Sequence, residues 1–247
     1  MGSLSSFELL YSALVVLVAF AVRGAVGFGS SIVAIPLLAL RLPLRTIVPV
    51  IALLSITAAI GQSVKDRQMI RWKAIAPLML PTLLGILAGL YLFRAFEQTT
   101  LRKFLGLFVV GYAAHTFLAP RIAIPFIKVS PFSAIALGAP AGLITTLFGG
   151  MAGPLFVIYL DLYRLEKTPF RATISALFLL NSGLRVIGYF VSGFYDLTTL
   201  LVFAAAMPVM VFGMTFGDRI HIKLGERTFR EVIGTILLCS GLVLMLK

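Results

Sequence analysis

Charge, cysteine and histidine are all scarce in this 247-residue chain. Charged residues make up 12% of it, about half the share usual in a soluble globular domain. One cysteine, Cys239, excludes an internal disulfide. The nine carboxylates (Glu8, Asp66, Glu97, Asp161, Glu166, Asp196, Asp218, Glu226, Glu231) all fall at the ends of apolar stretches or between them. That distribution argues against a buried carboxylate relay of the pump type. It also removes the acid/base pair or metal cluster of an intramembrane hydrolase. The phosphate loop, the paired-histidine zinc motif and the Gly-x-Ser-x-Gly nucleophile turn are missing too. No enzyme, no cofactor and no metal site is expected, and ATP-driven transport would need another subunit. The first ten residues hold no Lys or Arg, so the basic region of a cleaved signal peptide is lacking and the first helix is expected to stay.

What is abundant is apolar sequence. Hydrophobic residues make up 60% of the chain, and the mean hydropathy is +1.06. Apolar segments run about 7–29 with a continuation 31–40, then 46–64, 74–93, 101–119, 131–148 with a continuation 153–163, 170–192, 197–217 and 228–246. Several reach the ~20 residues that span a bilayer. The expected fold is an all-α polytopic membrane protein of about eight transmembrane segments, forming one membrane domain over 1–247. The net charge of +12 then reads as Lys/Arg bias in cytoplasmic loops. It does not point to nucleic acid, and the excess favours an anionic substrate. A homodimer suits a domain this small.

The halves, about 7–119 and 131–246, look like repeats. Gly27–Ser31 corresponds to Gly149–Gly153 at an offset of 122 residues, and Ser55 to Asn181. Pro81 with Gly85 and Gly89 resembles Pro208 with Gly213 and Gly217. Leu101–Gly106 resembles Phe229–Gly234 at an offset of 128. Such ordered matches are the mark of internal duplication. If each interrupted segment crosses the bilayer, the repeats are parallel; if each folds back as a hairpin, they are inverted. Loop Lys and Arg split twelve to seven in the first case and thirteen to six in the second, so the charge rule leans toward inversion.

The interruptions carry the chemistry. Small residues break each run at Gly27, Gly29, Ser30 and Ser31, and again at Gly149, Gly150, Ala152 and Gly153. Broken helices at membrane depth are tolerated where they line a protein-enclosed cavity, and paired breaks mark transport sites. The restarting segments would offer free N–H groups from Ser31 to Val33 and after Ala152, with Pro154 suited to a first turn. Hydroxyls of Ser30, Ser31, Thr145 and Thr146 would add donors. Close helix packing through small residues is the alternative. Two arginines, Arg23 and Arg185, lie inside apolar segments with no carboxylate near them in sequence, which makes a bound anion a natural counter-ion. Asn181 and Arg185 share a helix face at i,i+4 spacing. Arg23 has snorkelling as its alternative, and His115 packing as its own. Trp72, Tyr91, Tyr112, Tyr189 and Tyr195 fit interfacial anchoring.

The two glycine motifs, each followed by a short apolar half-helix, resemble those of the sulfite exporter TauE/SafE family. The first reads Gly27-Phe28-Gly29-Ser30-Ser31 with Pro36; the second reads Gly149-Gly150-Met151-Ala152-Gly153 with Ile158 in the matching place. Met151 departs from the pattern. The resemblance covers essentially the whole chain. It implies a permease of the bacterial cytoplasmic membrane that moves sulfite, organosulfonates such as sulfoacetate, or related small anions. Alternatives are an anion channel and a non-transporting assembly or lipid-interacting subunit.

Overall fold

The computed structural model describes residues 6–26, 29–63, 67–118, 129–219 and 226–246. They form ten α-helices and one short 3-10 turn. In order these are α1 (Ser6–Val26), α2 (Ser30–Ala39), α3 (Leu44–Ser63), α4 (Trp72–Ala95), α5 (Gln98–Leu118), α6 (Pro131–Leu147), α7 (Gly153–Asp161), α8 (Lys167–Val191), α9 (Leu197–Arg219) and α10 (Glu226–Leu246). Four stretches, Phe7–Ala25, Trp72–Ala95, Thr168–Val191 and Leu197–Arg219, are long and apolar enough to cross a membrane. At 1.5 Å per residue the 24-residue ones reach roughly 36 Å. Large apolar side chains such as Leu10, Leu80, Phe132 and Phe212 stand exposed, as a lipid-facing surface requires.

The chain resolves into two compact units, each drawing on both sequence halves. The first holds α1, α2, α5, α10 and most of α9. Here α1 and α2 form a fold-back hairpin. The Tyr11 hydroxyl, early in α1, donates to the Leu37 carbonyl, late in α2, at 2.7 Å. The Arg41 guanidinium sits 5.3 Å from the Phe7 ring centroid. A helix continuing onward would hold these pairs roughly 40 and 50 Å apart. α1 lies on α9 through glycines: a Cβ on Gly217 would overlap the Ala21 carbonyl, and one on Gly24 the Met214 carbonyl. α5 and α10 meet the same way at Gly106 and Gly241.

The second unit holds most of α3, with α4, α6, α7 and α8. α4 and α6 approach until a Cβ on Gly85 would overlap the Ala139 carbonyl and one on Gly142 the Thr82 carbonyl. This is packing by small residues at four-residue spacing. α8 sits on α4, where a Cβ on Gly188 would come within 2.5 Å of Leu90. α7 packs back into a core that holds Ala134, early in α6, together with Tyr159 and Leu160, late in α7.

The glycine contacts of the two units correspond residue by residue. Gly85 faces the Ala139 carbonyl and the Leu143 nitrogen; Gly213 faces the Leu17 carbonyl and the Ala21 nitrogen. Gly213 follows Gly85 by 128 residues, while Ala139 and Leu143 follow Leu17 and Ala21 by 122.

A buried arginine at a broken helix

In the second unit the break falls after Leu147. Gly149 (φ 66°) and Gly150 (φ 99°) both adopt left-handed backbone, which glycine takes without a Cβ penalty. The chain therefore cannot continue the helix, and the last carbonyls of α6 lose their intrahelical donors. With no water at membrane depth, each must find another. The Phe148 N–H reaches the Ile144 carbonyl at 2.9 Å. The Gly150 N–H, which a continuing helix would give to Thr146, goes to the Thr145 carbonyl at 2.9 Å instead.

α8 supplies the rest. Arg185 Nη1 donates to the Thr145 carbonyl at 2.7 Å. The Tyr189 hydroxyl, one turn further along, donates to the Thr146 carbonyl. Asn181, one turn earlier, accepts from the Thr145 hydroxyl through Oδ1 at 3.4 Å. Asn181, Arg185 and Tyr189 thus form one stripe at four-residue spacing, laid along the end of α6. Arg185 is 1% exposed, and its Nε has no hydrogen-bond partner. Its cation lies at the negative end of α6, where the helix dipole favours it. An aromatic group closes over the stripe: Phe93 and Phe194 stand 5.8 and 6.0 Å from the Tyr189 ring. Phe194 is placed by the end of α8, where Gly193 (φ 75°) turns the chain. There the Gly193 N–H bonds Phe190 and the Phe194 N–H bonds Tyr189, the pattern of a glycine-terminated helix.

The start of α7 offers less than its sequence suggests. Pro154 has no N–H, and the Leu155 N–H is spent on the Ala152 carbonyl at 3.0 Å. Gly153 remains as the first-turn donor. Ala152 and Met151 are buried, so the bulky side chain that interrupts the small-residue motif is packed inside the protein.

In the first unit, Gly29 precedes α2 in left-handed conformation (φ 96°). Its carbonyl accepts from the Ile32 N–H at 3.1 Å. The donors ahead of the first helical bond are therefore those of Ser30 and Ser31, one position earlier than the expected Ser31–Val33. Ser30 is 1% exposed, and its hydroxyl has no partner. Arg23 is buried in the last turn of α1. Gly27 lies outside the described residues, as does the side chain of His115.

Two expectations change. The Thr146 hydroxyl donates to the Gly142 carbonyl at 2.8 Å, and the single Thr145 proton is shared between that carbonyl at 3.0 Å and Asn181 Oδ1, so both are spent within the protein. Ser and Thr commonly bond back this way inside helices. Tyr189 is no interfacial anchor: it is fully buried. Its four-residue spacing from Arg185 was the available signal. Trp72 and Tyr91, by contrast, are exposed.

A broken helix stapled by a buried arginine stripe, inside an all-α apolar scaffold with lipid-length helices, fits a multi-pass membrane permease. The sulfite exporter TauE/SafE family model matches residues 12–244, and the chain belongs to that family. It is similar to a probable inner membrane transporter protein, TsaS, of Comamonas testosteroni, with 24% identity over 199 residues that cover 78% of this chain and 80% of the relative. No solved structure matches it significantly.

Proposed function

We propose that this protein is a secondary transporter of a small sulfur-containing anion, sulfite or an organosulfonate such as sulfoacetate, across the bacterial cytoplasmic membrane. The observation that carries the reading is Arg185: a buried guanidinium with an unpartnered Nε beside a broken helix. A charge in that position costs several kcal/mol unless paired, and a transported anion supplies the missing partner. Asn181 and the Gly149–Gly153 backbone complete the site in this unit. Gly29, Ser30 and Ser31, with Gly27 and Arg23, mark the equivalent break in the other sequence repeat.

The hairpin of α1 and α2 supports inverted repeats. It returns the chain to its starting side, so α3, α4 and α5 cross in turn and the second half begins from the opposite face. Access would then alternate by movement of one repeat-derived element against another.

The test is counterflow in proteoliposomes. Labelled sulfite or sulfoacetate should enter saturably and exchange against unlabelled anion. Arg185→Lys, which keeps charge but loses the planar fork, should weaken transport at least about tenfold. Flux that neither saturates nor exchanges would mean a channel; flux unchanged in the Arg185 variants would sink the site.

A further inference from the structure

The geometry points to a site that selects by charge number: it takes an oxyanion with one negative charge and two oxygens on the same atom, and it disfavours divalent anions. The inference rests on the transport reading above and narrows it.

The guanidinium is not equally available on all sides. Nη1 is committed to the Thr145 carbonyl. Nε is buried and has no partner, and it shares the side edge of the fork with Nη2. That edge presents two parallel N–H vectors, which match two oxygens of a sulfonate, hydrogen sulfite or carboxylate. A ligand with a single acceptor would leave one of them unmet.

The charge count follows from the surroundings. Among the described side chains of this unit, Arg185 is the one buried charge; Arg71, Lys73, Arg94, Arg164 and Arg171 are exposed, as are Asp161, Glu166 and Asp196. The other polar groups buried in the unit with it are neutral, Asn181, Ser182, Tyr159, Tyr189, Thr145 and Thr146 among them. Part of the arginine's own field is already matched to the carbonyl end of α6. A monovalent anion therefore leaves the site near neutral. A divalent one brings a second charge into low dielectric with nothing in the unit to compensate it, which is strongly unfavourable. Sulfoacetate, with its distal carboxylate, should then bind more weakly than a simple alkanesulfonate and still be carried. Simple alkanesulfonates and hydrogen sulfite fall on the favoured side.

The experiment is ligand-induced thermal stabilisation of the purified full-length protein, with matched pairs at fixed ionic strength: methanesulfonate against sulfate, and acetate against malonate. The expected result is apparent affinity at least about tenfold higher for each monovalent member. With sulfite, affinity should fall as pH rises and the second proton leaves the ligand, while methanesulfonate affinity stays flat. Arg185→Gln should abolish the response to all four. Divalent members binding as tightly as their partners, with Arg185→Gln still silent, would overturn the charge selection and leave the anion site standing. No response from the unaltered protein to any of the four anions would overturn both.

Discussion

Tyr189→Phe is the smallest change that tests how the helix break is held. It removes one oxygen and leaves the ring among Phe93, Phe194 and Tyr195. The lost hydrogen bond is the one to the Thr146 carbonyl. A surface pair would be worth little, and interhelical hydrogen bonds in membranes average only about 0.6 kcal/mol, because the unfolded chain also finds partners. Here the acceptor is the end of a broken helix. The Gly150 N–H that would normally serve it has gone to Thr145, and the left-handed backbone at Gly149 and Gly150 prevents its return. The carbonyl would be left buried and unmet, a cost of about 1–3 kcal/mol. We therefore expect Tyr189→Phe to destabilise the fold by about 1–2 kcal/mol, above the membrane average and below a cavity mutant. Tyr91→Phe, whose parent ring is 74% exposed, should stay within about 0.5 kcal/mol. The assay is reversible unfolding in mixed micelles, followed by tryptophan fluorescence and circular dichroism. Equal stabilities for the two variants would refute the carbonyl accounting. It would mean that another donor reaches Thr146, and that the α8 stripe is not what closes the break.

Further consequences follow from the glycines and the loop caps. Gly29 has open space where a Cβ would go but a φ of 96°, so Gly29→Ala should cost about 1–2 kcal/mol from backbone strain alone; Gly111, equally open but helical, should gain about 0.5–1 kcal/mol as Ala. A thermal melt of each variant separates the two signs. Gly142→Val places its Cβ in the Thr82 carbonyl and should lose several kcal/mol or fail to yield folded protein, which size-exclusion profiles will show. Asp196 begins α9, accepting from the Thr199 N–H at 2.7 Å and the Thr199 hydroxyl at 2.6 Å. Those two bonds hold its carboxyl below the usual carboxylate range. Its contribution is thus complete above the ordinary value near 4 and fades as pH falls below it toward the depressed folded value. Asp196→Ala should cost about 1 kcal/mol at neutral pH and progressively less in acid.

The helices were legible because the bilayer imposes their length. Each expected apolar segment ends within a few residues of an observed helix, and the two continuations became α2 and α7. The Asn181–Arg185 face was legible from spacing. Tyr189 was not, because hydropathy reports that an aromatic sits near a segment end, not whether the end faces lipid or another helix. The hydroxyls of Thr145 and Thr146 were over-read for a related reason. A threonine near a helix end can serve a ligand or its own backbone, and only the geometry at Gly142 decides. The partnering of α4 with α6, and of α9 with α1, was also hidden. Small-residue spacing marks a face for close approach but names no partner, and each pair joins helices from different sequence halves.

The electrostatics of the two breaks explain why they carry arginine and no carboxylate. Interrupting a helix in an apolar medium creates two ends of opposite sign: unsatisfied carbonyls on one side and unsatisfied N–H groups on the other. The carbonyl end of α6 is met by a buried cation, and α1 carries one in its last turn. Arg23 lies in the last turn of α1 itself, and Arg185 reaches the last turn of α6 from the neighbouring α8. Carboxylates in these segments would answer the N–H ends permanently and occupy the place of a mobile anion. The N–H ends are instead left to small residues: Gly29, Ser30 and Ser31 at one break, Ala152 and Gly153 at the other. At the transport site proposed above, an anion that arrives would complete the pairing left open at Arg185 Nε, and one that leaves would return it to an unmet state, so affinity would stay moderate enough for release. That condition, and not tight binding, is what a transport site requires.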